Sequence, residues 1–568
     1  MTITLHQLPP TCHLAVLGRQ DHPAAVAELG QALQVAFDDQ AIKTVEVSFY
    51  DADTLRREAI ELLASHLGKT PALKIIAYHA TLAHGLIRLG LPVKQVLQQP
   101  STQPAASYRA IAMAGSAGSL DKILHLVSNL PLGKVSLFVL QHLDEHQPNL
   151  LDQLLKVRTD YQVIMPQHLT TIEPGTLYIA PPGYHMKVAH GMVYLTQDRK
   201  IQYSRPSIDA LFASLASEYQ RDCIAVLLCG YGQDGTAGCA ALRQAQARVL
   251  IEDSDECGTA RSMPDSARAT GQYDSVAKLS TITSLLAAAV HSHDDQEVPH
   301  GPLLELFLEA LSQQCGYDFR HYQRDSLRRL LKAQMQALGI QRFSIFQYLA
   351  LTEPMLLQQL IAGLTVNVTC FFRHPEQLAQ VRQHVFPYLA SFPEIKIWSA
   401  GCATGEEAYS LAIMLHEAGL LERSHLFATD MNAYQLEAAK AGLFPSHELP
   451  QNQANYLTSG GVRHFEDYIQ PSAHYIKAID WLGKQILFYR HTLTAEGIFN
   501  EFQLIVCRNV LIYFDLALQR EVLRKFACSL HVDGFLVLGP QDGINLTVLE
   551  MGFVPYKPGS HIYRYPRE

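Results

Sequence analysis

Three residues whose types could carry nucleophilic chemistry each follow an apolar run that reads as a buried strand. The run RAIAMAGSAGSLDKILHLVSNL reads as a strand ending at Ala114, a small-residue turn around Ser116 and a helix from about Ser119. Such a strand-to-helix turn lifts a serine oxygen clear of the sheet and presents helix-start amides to an oxyanion. Ala114-Gly115-Ser116-Ala117-Gly118 equally fits a phosphate cradle or a plain turn. The strand VSLFVLQ at 135–141 delivers His142, and IAVLLCG at 224–230 delivers Asp234 within GYGQDGTAG. A serine needs a base for its proton, and the imidazole needs a carboxylate to fix its tautomer and stabilise its charge. The chain order Ser, His, Asp differs from the Ser, Asp, His order of α/β-hydrolases and argues against that fold. His125, His146 and His185 are rival bases, but none follows a comparable strand.

A second group of residues points to a different ligand. IKIWSAGCATGEEAYSLAIMLHEAG reads as a strand at 395–399, a small-residue turn from Ala400 to Gly405, and a helix opening on Glu406 and Glu407. This is a Rossmann-like first strand-helix unit, yet a pyrophosphate would meet two carboxylates at the helix start. A cationic ligand fits better. The strand HLFATD ends at Asp430, where nucleoside-binding α/β folds place an acidic residue against ribose hydroxyls, and FQLIVC runs into Arg508 and Asn509. S-adenosylmethionine, an adenosine bearing a sulfonium, satisfies both features. A glutamate carboxylate, with a pKa of about 4.3, needs no general base to attack its methyl group. It needs in-line placement and exclusion of water.

These residues must be held by several folded layers. The chain has 568 residues, which implies about three to five domains. Hydrophobic residues make up 48% and charged residues 17%, enough apolar material for several cores and no excess of charge that would favour disorder. Lys and Arg number 45 against 54 Asp and Glu, a formal charge of -9 that disfavours bulk attraction to nucleic acid. The cysteines show neither CxxC spacing nor a dense cluster, so neither a zinc knuckle nor a disulfide framework is indicated. No run of roughly 18 apolar residues spans a bilayer and no secretory signal opens the chain, so a cytoplasmic location is expected. Polar, proline-containing stretches at 98–107 and 291–302 read as linkers. The first block alternates the strand-like runs 13–18, 45–50 and 73–79 with helical stretches. It invites comparison with a phosphoacceptor receiver, but only Asp21 follows its first strand, while Asp51 and Asp53 follow the second, so a structural or docking role is favoured. Arg320, Arg324, Arg328 and Lys332, joined by Arg329, form a drifting basic stripe at four-residue intervals. Its alternatives are a solvated face and a dock for an acidic helix.

GSAGS, FVLQH, YIAPPGYHM, RPSIDALFASLA, GQDGTAG and MPDSARATGQYD, in that order, resemble the chemotaxis protein-glutamate methylesterase family, the CheB type, over about 180 residues. That resemblance implies a triad of Ser116, His142 and Asp234 that hydrolyses glutamyl methyl esters. Two positions depart from the family pattern: Ser119 replaces a second glycine, and Tyr231 replaces a methionine beside the oxyanion site. GCATGEE, ATD, TVNVTCFFR and CRNVLIYF resemble the chemoreceptor glutamate O-methyltransferase family, the CheR type, over about 265 residues. This resemblance implies donor contacts from Asn367, Thr369, Arg373, Glu407, Asp430, Thr492, Leu493, Arg508 and Asn509, with Arg373 and Tyr513 beside the reacting methyl group. Thr492 stands where that family commonly has asparagine.

The resulting expectation is an α/β multidomain chain. It comprises a small α/β domain at 1–100, an α/β methylesterase domain at 108–290, a helical substrate-recognition domain at 303–385, and a Rossmann-like methyltransferase domain at 386–568. The cofactor is S-adenosylmethionine and no metal is required. The expected partners are methyl-accepting chemotaxis receptors with acidic helical segments, themselves membrane-bound, with no nucleic acid and no membrane insertion of this chain. The alternatives are a silent esterase-like scaffold fused to the methyltransferase, and the same chemistry on another signalling receptor.

Overall fold

The computed structural model describes residues 2–8, 11–17, 23–38, 44–49, 57–66, 72–77, 86, 91, 93–95, 108–142, 150–291, 297–365, 369–472, 475–494, 497, 500–540, 542 and 545–566. The chain divides into two compact units. One holds residues 1–99, 321–330 and 358–568, and the other residues 100–320 and 331–357.

In the first unit, the N-terminal segment forms a five-stranded sheet in the order Thr2–Leu8, Thr11–Leu17, Thr44–Phe49, Ala72–Ala77, Val93–Gln95. The first pair is antiparallel and every later neighbour is parallel. The three expected runs are its inner strands. The spatial order follows the sequence order, so the sheet lacks the reversal of strand order where receiver-type and other doubly wound sheets gather their sites. Asp21, Asp51, Asp53 and the linker at 98–107 lie outside the described residues. The core of this domain, built on Leu14, Leu29, Leu33, Val45, Val47, Leu63 and Ile75, also includes Leu443 from far along the chain. Ala441 and Tyr475 pack on the same core, and Lys477 Nζ pairs with Glu61 at 3.1 Å.

The same unit holds a seven-stranded sheet: Ile486–Arg490, Ser424–Asp430, Ile395–Ala400, Phe502–Cys507, Leu530–Leu538, Ile562–Arg564, Val554–Pro555. Its first five strands run parallel. Their order, third-second-first-fourth-fifth, is that of the nucleotide-binding doubly wound fold, and the last two strands pair antiparallel. The strand-order reversal falls between Ile395–Ala400 and Phe502–Cys507. A three-stranded antiparallel sheet, Leu443–Pro445, Tyr475–Ala478, Ile469–Pro471, stands apart from it.

The second unit is built on another seven-stranded, wholly parallel sheet: Ser275–Ala277, Arg248–Glu252, Cys223–Leu227, Ala110–Gly115, Ser136–Gln141, Thr176–Ile179, Gln162–Ile164. Ala110–Gly115 and Ser136–Gln141 are buried at every position, as expected of parallel strands covered on both faces. The strand order reverses between Cys223–Leu227 and Ala110–Gly115.

The basic stripe is shorter than its spacing implied. Its helix, Arg324–Ala337, starts after Arg320, whose guanidinium is held by Asp318 at 2.8 Å and 3.0 Å. Asp318 lies only two residues away, and a local fork-to-carboxylate pair there satisfies Arg320 outside the helix. Among the described residues, no helix is long and apolar enough to cross a membrane.

Candidate active sites

At the reversal point of the second unit, register brings the hydrolytic candidates together. Gly115 pairs with Gln141, so Ser116 and His142 leave adjacent strand ends, and His142 N donates to Gly115 O at 3.1 Å. His142 Nε2 donates to Asp234 Oδ2 at 3.0 Å. Asp234 is buried at the start of the helix Ile208–Tyr219, where Ile208 N (2.8 Å), Asp209 N (3.0 Å) and Ser207 Oγ (2.9 Å) all donate to it. Burial opposes its ionisation, but the hydrogen bonds from His142, Asp209 and Ile208 outweigh burial and hold its pKa below the ordinary aspartate value. Since Nε2 carries the proton shared with Asp234, Nδ1 is the imidazole nitrogen left to accept one.

The turn itself is tightly braced. Ser116 N donates to Cys229 O at 2.8 Å, and Gln141 Nε2 donates to Ser116 O at 2.6 Å. Ser119, the departure from the family pattern, is fully buried with Oγ 2.7 Å from Ser116 O and 2.6 Å from Gln141 Oε1, so it reinforces the turn. A Cβ on Gly230 would stand 2.8 Å from Ser116 Cβ and 2.6 Å from Met263 Cε, so only glycine lets this loop approach the serine. Tyr231, the other departure, is 56% exposed with its hydroxyl 2.9 Å from Thr259 Oγ1. Of the rival bases, His185 is fully buried against Arg199 O at 3.1 Å, and His146 lies outside the described residues. His125 lies on the helix Leu120–Asn129, away from any strand end.

In the first unit, one cavity of about 230 Å³ opens at the reversal point of the sheet. Thr369, Arg373, Glu407, Asp430, Thr492, Leu493, Arg508, Asn509 and Tyr513 all line it. Asn367 lies outside the described residues. Gly401, at φ +78°, could carry no Cβ without meeting Val510 Cγ2 at 2.5 Å, which brings the turn after the first strand against the segment that follows Phe502–Cys507 and carries Arg508. Asp430 accepts Ala403 N at 2.9 Å and Asn432 N at 2.8 Å, so one carboxylate ties together two turns of the cavity wall. Burial nevertheless raises its pKa. Glu407 accepts Ser399 Oγ at 2.8 Å and faces Arg508 Nη1 at 3.5 Å; its own pKa is raised by burial against the opposing pull of Arg508. Arg508 also donates to Arg373 O. Glu406 is fully buried and occupies the helix start where a pyrophosphate would sit.

Sequence reasoning missed two residues here. Tyr322 lines the cavity, packed edge-on against Phe514 at 5.4 Å. Asp542 is buried, accepts Asn509 N at 3.1 Å and Gly539 N at 2.5 Å, and is pushed up to about 6 by burial. Neither belongs to a recognisable motif, but the polar break PQDGIN after an apolar strand was a signal for Asp542. Asn509 holds φ +61°, a conformation asparagine tolerates better than most residues, and its Nδ2 is buried without a hydrogen-bond partner among the described residues.

Two carboxylates and an unsatisfied amide donor around a cavity at the sheet's reversal point suit a cationic nucleoside far better than a diphosphate. The fold and site define a nucleoside-binding doubly wound domain carried in one chain with a second α/β domain built on a wholly parallel sheet. Residues 367–554 match the CheR methyltransferase SAM binding domain, residues 302–365 its all-alpha domain, and residues 111–286 the CheB methylesterase domain. The chemotaxis protein methyltransferase of Escherichia coli is 32% identical over 260 residues, covering 43% of this chain and 85% of that protein. That of Listeria innocua is 31% identical over 241 residues, covering 42% and 88%. The chain belongs to the chemotaxis protein methyltransferase family, and its cofactor is S-adenosylmethionine. An uncharacterized 104.1 kDa protein of Rhodobacter capsulatus is 27% identical over 439 residues, 69% of this chain, which spans 44% of that protein. The Thermotoga maritima CheB methylesterase catalytic domain is 27% identical with a TM-score of 0.30, covering 32% of this chain and 98% of that one.

Proposed function

We propose that the chain both writes and erases methyl esters on glutamate side chains of chemoreceptors. The observation that carries the writing half is that all the expected donor contacts among the described residues line one cavity. When bound, S-adenosylmethionine supplies an electrophilic sulfonium methyl group. Asp430 keeps lone pairs beyond its two backbone bonds to accept ribose hydroxyls, and Glu407 offers negative charge balanced by Arg508. Arg373 orients the incoming glutamate carboxylate, and Tyr322, Phe514 and Leu493 exclude water from its path.

In the erasing half, His142 Nδ1 takes the proton of Ser116 as its oxygen attacks the ester carbonyl, and Asp234 stabilises the resulting imidazolium. The exposed turn at Ala117 and Gly118 supplies backbone amides to the oxyanion. The proton then passes to departing methanol, and water releases the glutamate from the serine.

Receptor incubated with S-adenosylmethionine and wild-type protein should reach a low methyl-ester plateau sustained by turnover, with methanol released. With Ser116→Ala the plateau should rise and methanol release should fall by several orders of magnitude. Equal plateaus without methanol release would assign the esterase half to a silent scaffold.

A further inference from the structure

Beside the esterase centre lies a cluster of nucleophilic and charged groups that neither reaction uses. Cys229 and Cys257, 28 residues apart, are joined through sulfur, the one such pair among the described residues. Both are buried, but Cys257 is flanked by the exposed residues Glu256, Gly258 and Thr259. Lys122 Nζ stands 2.8 Å from Cys229 Sγ and 3.9 Å from Cys257 Sγ, and pairs with the fully buried Glu252. The cysteine spacing gave no hint of this pair, because its halves lie in the segments that follow the adjacent parallel strands Cys223–Leu227 and Arg248–Glu252 and meet only in the fold.

The wiring from this pair leads to the proposed catalytic groups. Cys229 O accepts the amide of Ser116 at 2.8 Å. Ala260 N donates to Cys257 O at 3.0 Å, and Gly230 N donates to Ala260 O at 2.8 Å. Gly232 N donates to Ser262 Oγ at 2.9 Å, two residues before Asp234. The loop carrying Asp234, the turn carrying Ser116 and the segment after Cys257 are therefore braced as one body.

We propose that Cys229 and Cys257 form a reversible thiol-disulfide latch that sets the geometry of the esterase centre, an inference that rests on the esterase reading for its effect on rate. Lys122 Nζ stands beside both sulfurs and favours a thiolate there, while Glu252 Oε2, 3.1 Å from Cys229 Sγ, is placed to accept the hydrogen of a reduced Cys229 thiol. With glutathione disulfide as oxidant, one protein thiolate attacks a glutathione sulfur, forming a mixed disulfide and expelling one glutathione thiolate. The second protein thiolate attacks the mixed disulfide at the protein sulfur and expels the other. The pair loses two electrons and two protons, and one glutathione disulfide becomes two glutathione molecules.

The test uses the full chain equilibrated in glutathione buffers of graded ratio. Thiols are trapped by alkylation and read by peptide mass, and amide hydrogen exchange is followed over residues 229–236. Hydrolysis of methylated receptor is measured on the same samples. The pair should convert in one two-electron step, with the 229–236 amides more protected in one state, and hydrolysis should differ about tenfold or more between states. Cys257→Ser should hydrolyse at one level at every ratio, and methyl transfer by the same samples should not change. A pair that stays reduced at every ratio, or that binds zinc stoichiometrically in place of oxidising, overturns the latch. So does oxidation without any change in exchange. A change in exchange with no hydrolysis in either state supports the latch and counts against the esterase reading.

Discussion

Asp234→Asn alters one atom at the point where four donors converge. His142 Nε2 and Ile208 N reach Oδ2 at 3.0 and 2.8 Å, while Ser207 Oγ and Asp209 N reach Oδ1 at 2.9 and 3.0 Å. An amide side chain has one acceptor oxygen. With its nitrogen at the Oδ2 position, His142 must move its proton to Nδ1 to accept from it, and Ile208 N loses its acceptor. With the nitrogen at Oδ1, Ser207 can turn to accept, but Asp209 N is stranded and the charge beside His142 is gone. Either arrangement leaves one buried amide unsatisfied, costing about 1–3 kcal/mol of stability. The first removes the nitrogen that takes the Ser116 proton. The second removes a Coulomb attraction across 3.0 Å of roughly 5 kcal/mol at an effective dielectric near 20, part of which desolvation offsets. Hydrolysis should fall by about 10² to 10⁴ on either route. Methanol release from methylated receptor measures it, with methyl transfer in the same sample as the control for folding. A variant that hydrolyses at the wild-type rate would refute the assignment of Asp234 to the imidazole.

Asp430→Ala should weaken S-adenosylmethionine binding, measured by calorimetry, by about 1.5–3 kcal/mol, and unchanged affinity would remove the ribose role. Arg328→Ala with Lys332→Ala should leave cofactor affinity intact and reduce methylation of an acidic receptor helix, most strongly at low salt. Arg324 is left alone because it donates to Tyr322 O at 3.2 Å, behind the cavity wall; normal methylation by the pair at low salt would make the stripe a solvated face. Because the folded pKa of Asp542 is raised to about 6, its contribution to stability is full below about pH 4 and is lost as pH rises through 6, a span of at most roughly 3 kcal/mol. Asp542→Asn cannot ionise, so the wild type should lose stability relative to it between pH 4 and 7 in denaturant titrations, and a difference independent of pH would refute the buried-carboxylate reading.

The central strands of the two seven-stranded sheets were legible because they are buried on both faces and read as unbroken apolar runs ending in small-residue turns. Ala110–Gly115 and Phe502–Cys507 show this, and strand ends made Ser116, His142 and Arg508 candidates, while their roles came from the family resemblance. What stayed hidden depends on distant pieces of chain meeting. Thr2–Leu8 and Val93–Gln95, one at each edge of the first sheet, carry no comparable apolar run. Tyr322 reaches its cavity through packing on Phe514, and Cys229 finds Cys257 only because the segments that follow two neighbouring strands, Cys223–Leu227 and Arg248–Glu252, come together beyond the strand ends. Arg320 fitted the helical spacing but was captured by Asp318, two residues away, outside the helix.

The core shared between the N-terminal sheet and Leu443 bears on how the molecule is made. During synthesis the first domain leaves the ribosome long before residue 443, so for most of translation its apolar face lacks one of its own core side chains. Domains generally fold as units in order of emergence. This one can reach its final packing only after the chain has been translated well into the methyltransferase domain, past Leu443. Its last step of folding is therefore a docking event, and a nascent chain truncated before residue 443 should present an apolar face to chaperones that the finished protein keeps covered.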